Sequence, residues 1–344
     1  EEYTLHLSRS AVAGSEPPFC LSLLPFSAML SRILVGTLAV LCLVGTGPCV
    51  FAQPSVPSSP NPQEGPPSDT ADAEWSSELT GKISVSQAAY RNWQEGGLNS
   101  LAFTTSLDGA TEQEGERWDQ AYTLRLALGY IDQEDQDIRK SEDRIRLQAN
   151  LQYQGDGFFK VFSPTLAGDL RTQFAPGFDY TGNPYADDFP DSPKADDEPP
   201  VRTSSFFAPA TLTQSLGLTY NPLEQLSLRL GAASKQTIVT EPDFRVLYGV
   251  DPDNLVRLEA GGQFAGTLDQ RLSENVRYRS QLDVFFAVNQ LENPPDVIWE
   301  NVINLEVNSW ITTDLQFVAL FDEDTSDAIQ IKEVISVGVS LTLL

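Results

Sequence analysis

From Trp75 onward apolar and polar residues alternate with period two, segment after segment, and no stretch keeps a helical period. Trp118, Gln120, Tyr122, Leu124, Leu126, Leu128 and Tyr130 share one parity, opposite Asp119, Ala121, Thr123, Arg125, Ala127 and Gly129. Ile145, Leu147, Ala149, Leu151 and Tyr153 alternate with Arg144, Arg146, Gln148, Asn150 and Gln152. Val276, Tyr278, Leu282, Val284 and Phe286 alternate with Arg277, Arg279, Gln281 and Asp283. Ile335, Val337, Val339, Leu341 and Leu343 close the chain in the same manner.

The pattern predicts about twelve strands, over 78–87, 98–108, 118–130, 143–154, 158–174, 205–220, 225–239, 256–268, 274–289, 297–308, 311–321 and 329–343. A soluble sandwich also alternates, but its strands are usually of about 5 to 6 residues. These are longer and carry aromatics near their ends (Trp118, Tyr130, Tyr220, Trp299, Trp310), as interfacial girdles require. Short connections at 155–157, 221–224, 269–273 and 308–309 alternate with longer, acidic ones at 131–142, 175–203, 240–255, 290–296 and 322–328. Only the 109–117 connection is longer than the scheme prefers. The fold class expected is all-β: a transmembrane antiparallel up-and-down β-barrel over 75–344, with both ends on the periplasmic side.

The segments before Trp75 read differently. Met29-Leu30-Ser31-Arg32 opens an apolar run, Ile33 to Val44, that ends near Ala52, the layout of a secretory signal peptide over 29–52. Gly45, Gly47 and Pro48 and the short apolar run disfavour a membrane anchor, and Pro48 before Cys49 disfavours lipidation. Residues 1–28 read as an upstream extension of the gene, and 53–74, with Pro54, Pro57, Pro60, Pro62, Pro66 and Pro67, as a disordered periplasmic linker. Export to the outer membrane of a Gram-negative cell follows, with outer-membrane lipid and the barrel-assembly machinery as partners.

Processing at Ala52 changes the chemistry that remains. It removes Cys20, Cys42, Cys49, His6 and Met29, every Cys, His and Met of the chain. No thiol nucleophile, imidazole base or soft metal ligand is left, so Ser-His-Asp and Cys-His catalysis, zinc sites and haem ligation by these residues are excluded. No catalytic residue, cofactor or enzymatic role is expected. Of 48 acids and 22 bases, 45 and 20 stay behind. An acidity of that size disfavours nucleic acid as a partner.

If the apolar parity faces lipid, the other lines the lumen. On it fall Lys82, Arg125, Arg144, Arg146, Arg171, Arg229, Lys235, Arg257, Arg277, Arg279 and Lys332, against Asp169, Glu259, Asp283, Glu300, Glu306 and Asp314. Counted this way, the interior leans basic in an acidic protein. Two readings stand: a lumen filled by an ion-pair network, or a narrow pore for small solutes or ions whose Arg excess favours anions. A non-conducting structural or adhesive barrel using its acidic loops is the alternative function.

Carboxylates concentrate at Asp132, Glu134, Asp135 and Asp137; at Asp187, Asp188, Asp191, Asp196, Asp197 and Glu198; and at Asp322, Glu323, Asp324 and Asp327. They could take a divalent cation, yet none has the spacing of a calcium loop, and a solvated acidic surface accounts for them. No metal site is assigned. The stretch Arg91 to Asn99 could be imagined as catalytic, but Gly96-Gly97 supply the positive φ of a hairpin turn and Trp93 suits the interface.

Asn92-Trp93-x-x-Gly96-Gly97-x-Asn99 also resembles the N-terminal signature of an uncharacterised bacterial family, catalogued as a domain of unknown function and regarded as outer-membrane-barrel-like. Other pieces follow in order: Arg171-Thr172-Gln173-Phe174 with Gly177; Ser205, Phe206, Pro209 and Ser215-Leu216-Gly217-Leu218 through Pro222; Tyr248-Gly249-Val250; Trp299-Glu300; Phe321-Asp322-Glu323-Asp324; and Gly338-Val339-Ser340-Leu341. The resemblance spans about 75–343 and implies a barrel, with no activity and no functional residues to carry over. The chain departs from the habit of outer-membrane strands by ending on Leu343-Leu344 rather than an aromatic.

Overall fold

The computed structural model describes residues 75–89, 98–190, 192–289, 292–324 and 326–344. The expectations for 1–28, 29–52 and 53–74, and for Asn92, Trp93, Gly96, Gly97 and Asp191, lie outside the described residues.

Twelve antiparallel strands close into one barrel. In chain order they are β1 (Trp75–Ala88), β2 (Ser100–Gln113), β3 (Trp118–Gln133), β4 (Arg139–Tyr153), β5 (Phe162–Thr172), β8 (Ala210–Leu223), β9 (Leu226–Ile238), β10 (Val256–Ser273), β11 (Val276–Ala287), β12 (Asp296–Glu306), β13 (Ile311–Asp322) and β14 (Ser326–Thr342). A separate two-stranded sheet, β6 (Gly177–Asp179) with β7 (Val201–Ser204), lies in the long connection between β5 and β8. Each barrel strand pairs with its neighbour in the chain, and β1 pairs with β14, Lys82 opposite Ser340 and Val85 opposite Val337. The seam continues past Thr342, where the Leu343 N–H donates to the Leu79 carbonyl at 2.7 Å.

The alternation is satisfied inside out. Leu216, Leu230 and Ile335 are 65, 60 and 69 % exposed on the outer wall, while Arg146, Thr165 and Glu259 are buried within. A water-soluble barrel would reverse this order. A continuous apolar outer wall with every backbone group paired around the ring is the arrangement lipid demands. Even the shortest barrel strands, β5 and β12, have 11 residues, enough to cross a hydrocarbon core of about 30 Å when tilted. Among the described residues no helix is long and apolar enough to cross a membrane.

Several boundaries differ from the sequence reading, each for a local reason. β2 continues to Gln113, so the connection to β3 is only 114–117 and the apparent excess disappears. Its outward positions after Leu107 are Gly109 and Thr111, too weakly apolar to mark a strand by alternation. Gly157, at φ 62°, starts a helical turn, α1 (Phe158–Val161), so β5 begins at Phe162 rather than 158. There Phe158 and Phe162 stack with ring centroids 5.0 Å apart, and Phe162 and Tyr220 at 5.3 Å, building an aromatic rim. Residues 205–209 form a tight turn instead of strand, with paired hydrogen bonds between Ser205 and Ala208. β10 runs through 269–273 to a turn at 274–275. The 322–328 connection is a tight hairpin, and 131–142 shrinks to 134–138.

Glycines face one another where β8 meets β9, Gly217 opposite Gly231. A Cβ on Gly217 would press on the Leu230 carbonyl and on the Gly231 Cα, so the two backbones approach closely there.

Both barrel ends (Trp75 and Thr342) and the turns 114–117, 224–225, 274–275 and 307–310 gather at one end, and the longest connections, 173–209 and 239–255, at the other. At the loop end the 175–203 segment is packed rather than loose. It holds β6, α2 (Pro184–Asp188) and β7, and with the 3-10 turn Pro242–Tyr248 it buries Tyr185, Val201, Ala208, Val239, Phe244 and Val250 in a small core.

Candidate functional site: a charged bar across the lumen

The register creates an electrostatic problem. Arg125 on β3, Arg146 on β4 and Arg171 on β5 stand directly beside one another, with side chains pointing inward. Like charges so placed repel unless carboxylates intervene. Asp169, two residues before Arg171, and Asp283 and Glu300 from the far wall supply them. Arg146 donates to Asp169 from Nε at 2.9 Å and from Nη2 at 2.6 Å, to Glu300 from Nη1 at 2.6 Å, and to Asp283 at 3.4 Å. Arg171 donates to Asp169 at 2.9 Å and to Asp283 at 3.2 Å. Gln148 and Gln281 donate to Asp169 and Asp283 at 2.8 and 3.0 Å. The Arg146 side chain is 1 % exposed. A guanidinium buried that deeply is tolerable only when its donors are met by charge and hydrogen bonds together.

β4 and β12 are six places apart in the ring of twelve strands, so the Arg146–Glu300 contact spans the lumen from wall to wall. Arg144 and Arg125 flank Glu300 at 3.8 and 3.9 Å, and Arg144 also meets Glu142, which takes Lys332 as well. Elsewhere in the interior Lys82 binds Asp314, whose other oxygen accepts from Asn304 at 2.6 Å. Nearer the loop end Lys235 meets Asp296 at 2.5 Å, Asp322 at 3.1 Å and Glu259 at 3.7 Å, while Arg257 joins Glu259 at 3.1 Å to Asp324. At the turn end Arg277 forms a forked pair with Asp269 at 2.6 and 2.8 Å. Arg229 donates to Asn150 at 2.8 Å. Glu306 ends β12 at the same turn end, within electrostatic range of Arg277.

A cavity of about 740 Å³ occupies the interior and reaches Asn221 and Leu223 at the end of β8 and Glu224 and Gln225 in the β8–β9 turn. Its wall corrects the electrical balance read from the sequence. Asp108, Glu112, Glu142, Glu224 and Asp269 line it too, none of them in the parity count, so nine acids and five bases face this space. Glu112 was hidden because β2 runs further than its alternation shows, and Glu142 because it sits in a segment read as loop, while Asp108, the last residue of the strand read over 98–108, was left out of the parity count. The excess of bases in the parity count is absent from this wall.

The motif residues have a different task. Thr172 donates to the Pro209 carbonyl at 3.1 Å and accepts from the Phe207 N–H at 3.2 Å. Gln173 donates to the Ser205 carbonyl at 2.9 Å and accepts from Lys140 at 3.2 Å. The Phe174 and Ala175 N–H groups donate to Asp143 at 2.7 and 2.9 Å, and Lys140 reaches the same carboxylate at 2.8 Å. Thr172, Gln173 and Phe174 therefore tie the start of the loop-end cap to its finish and to β4. Asp143 and Lys140 escaped sequence reading; the one signal was an aspartate on the apolar parity of β4, two residues before Ile145. Asn99 donates to Glu134 at 2.6 Å, joining two loops of the same end. In the cap, the Asp179 carboxylate accepts from the Thr181 and Gly182 N–H groups, which hold it below the usual carboxylate range.

Among the described residues no three or more His, Cys, Asp or Glu are arranged to hold a metal ion. Within the acidic loops, Glu134 accepts from Asn99, and Asp322 and Asp324 are taken up by Lys235 and Arg257.

Residues 85–178 match the model of a family described as a protein of unknown function (DUF3078), a segment containing both the Asn92–Asn99 and the Arg171–Phe174 motifs. No curated protein matches the chain. Among solved structures, the translocator domain of autotransporter NalP from Neisseria meningitidis aligns at 11% identity and TM-score 0.32, over 79% of this chain and 89% of that one. The COG4313 outer membrane channel from Pseudomonas putida F1 aligns at 10% identity and TM-score 0.33, over 80% and 98%. The NanC porin aligns at 8% identity and TM-score 0.31, over 76% and 97%.

Proposed function

We propose that the chain is an outer-membrane β-barrel that forms a narrow path for small solutes or ions, held closed by the ion-pair bar across its lumen. The apolar outer wall and the strand lengths support insertion in a bilayer, with lipid and the barrel-assembly machinery as partners and the short-turn end periplasmic. The single observation that carries the reading is the Arg146–Glu300 contact, made between opposite walls directly beside a polar cavity of about 740 Å³. An interior built only to be filled would have little reason to leave that space. A bar of charged hydrogen bonds is also a barrier that a single rearrangement opens.

The test is conductance of refolded protein in planar bilayers. Wild type should open rarely, and Arg146→Gln should open more often and to a larger level. No conductance from either protein, at low and high salt, would overturn the path. A second reading, a non-conducting barrel that displays its loop end, is favoured by the packed cap, in which Tyr185 and Phe244 are fully buried. Silent bilayers would leave that reading standing.

A further inference from the structure

The interior cations are unequally paired. Six of the cavity-lining carboxylates, Glu142, Asp169, Asp269, Asp283, Glu300 and Asp314, each have a cation within 3.2 Å. Glu112, on the last turns of β2, and Glu224, in the β8–β9 turn, stand at the turn-end rim. The guanidiniums are left in another state. Among the described residues Arg279 has no carboxylate oxygen within 4.0 Å, and the nearest to Arg125 is the shared Glu300 at 3.9 Å.

These two arginines occupy strands β11 and β3, again six places apart in the ring, so they enter the cavity from opposite walls. Asp108, which stands opposite Arg125 on β2, is within electrostatic range of both. Since Glu300 is already committed to Arg146 at 2.6 Å, the two guanidiniums are left with Asp108 as a shared neighbour that ion-pairs with neither, one negative charge against two positive ones at this place on a wall that is acidic as a whole. Gln263, Gln316 and Ser106 line the same cavity and offer neutral donors and acceptors around it.

We propose that the cavity binds the oxyanion of a small solute, a carboxylate or a phosphate, between Arg125 and Arg279. The guanidinium fork matches two oxygens of either group, and low-dielectric walls strengthen the contact over its value in water. The volume suits a small molecule rather than a bare halide. This inference rests on the cavity being the solute path proposed above, and it names the class of solute.

The experiment is isothermal titration of the refolded full chain at low salt with inorganic phosphate, with gluconate and with glucose. Phosphate identifies the phosphate source of the oxyanion and gluconate the carboxylate source. At least one anion should give saturable heat, glucose none, and Arg125→Gln and Arg279→Gln should each weaken anion binding at least tenfold. Arg279→Lys keeps the charge without the fork and should fall between; it also serves if a Gln variant loses the heat-modifiable mobility of a folded barrel. Absence of anion binding in wild type, or variants that bind as well as wild type, would overturn the site. The same preparations in planar bilayers separate the two claims. Binding without conductance sinks the path and keeps the site, and conductance without binding does the reverse.

Discussion

Arg146 on β4 and Glu300 on β12 meet at 2.6 Å across the full width of the barrel, joining strands that lie six places apart in the ring. The contact makes the stability of the barrel depend on a residue in its hollow. In Arg146→Met the shared cation of Asp169, Asp283 and Glu300 is gone, and a buried charge left without its partner typically costs about 3–5 kcal/mol. The temperature at which the folded band converts on a semi-native gel should fall. Adding Glu300→Gln removes one stranded carboxylate and should recover part of the loss, because the two sites are coupled. An unchanged conversion temperature in the single variant would show that the bar bears no structural load.

Asp143 is to the cap what Arg146 is to the lumen. Its carboxylate is 3 % exposed and takes the Phe174 N–H, the Ala175 N–H and the Lys140 ammonium. Asp143→Ala strands the Phe174 and Ala175 N–H groups, each costing on the order of 1–3 kcal/mol when buried unpaired, and leaves Lys140 with Gln173 and the Ala175 carbonyl. The cap should loosen while the barrel persists. Limited proteolysis should cut within 175–203 at least tenfold faster than in wild type, leaving a heat-modifiable barrel core. Cutting at the wild-type rate would mean that the Thr172 and Gln173 contacts suffice.

Legibility in the sequence followed the strength of the alternation. β3, β4, β11 and β14 carry large apolar residues at most alternate places, and their existence and facing were readable from that alone. β2 carries Gly109 and Thr111 on its outer face, and its last residues read as a loop; with them went Glu112, one of the acids that set the charge balance of the cavity. Parity tells which wall a residue occupies but not which residue on the far wall it meets. The pairing of Arg146 with Glu300, 154 positions away in the chain, depends on the closure of the ring. The cap was missed for another reason. Its core is six residues scattered over two connections, Tyr185, Val201, Ala208, Val239, Phe244 and Val250, and no periodicity links them.

Tyr248 gives the cap a limit at high pH. Burial pushes its phenol up to about 12, against an ordinary value near 10, and its hydroxyl donates to the Thr203 carbonyl at 3.2 Å. A group held protonated in the folded state stabilises it fully below the unfolded value, and that contribution fades as pH rises from about 10 through about 12. Proteolysis of the 175–203 segment should therefore accelerate across this window. Tyr248→Phe, which cannot ionise, should flatten the acceleration, and a window identical in both proteins would assign it to another group.

The membrane reading stands on which face of a strand water reaches. Leu230 on β9 is 60 % exposed on the outer wall, whereas Thr267 on β10 lines the cavity. With Cys20, Cys42 and Cys49 replaced by Ser, Leu230→Cys and Thr267→Cys can be compared in proteoliposomes. If the apolar wall faces lipid, Leu230→Cys should resist a charged, water-borne maleimide and react with a lipid-soluble one. Thr267→Cys should react with a small water-borne thiosulfonate, because its face belongs to the polar interior. In detergent-free buffer a soluble barrel would expose Leu230→Cys to the charged reagent at once. That outcome would reverse the assignment of inside and outside from which the closed bar, the cavity and its proposed oxyanion were derived.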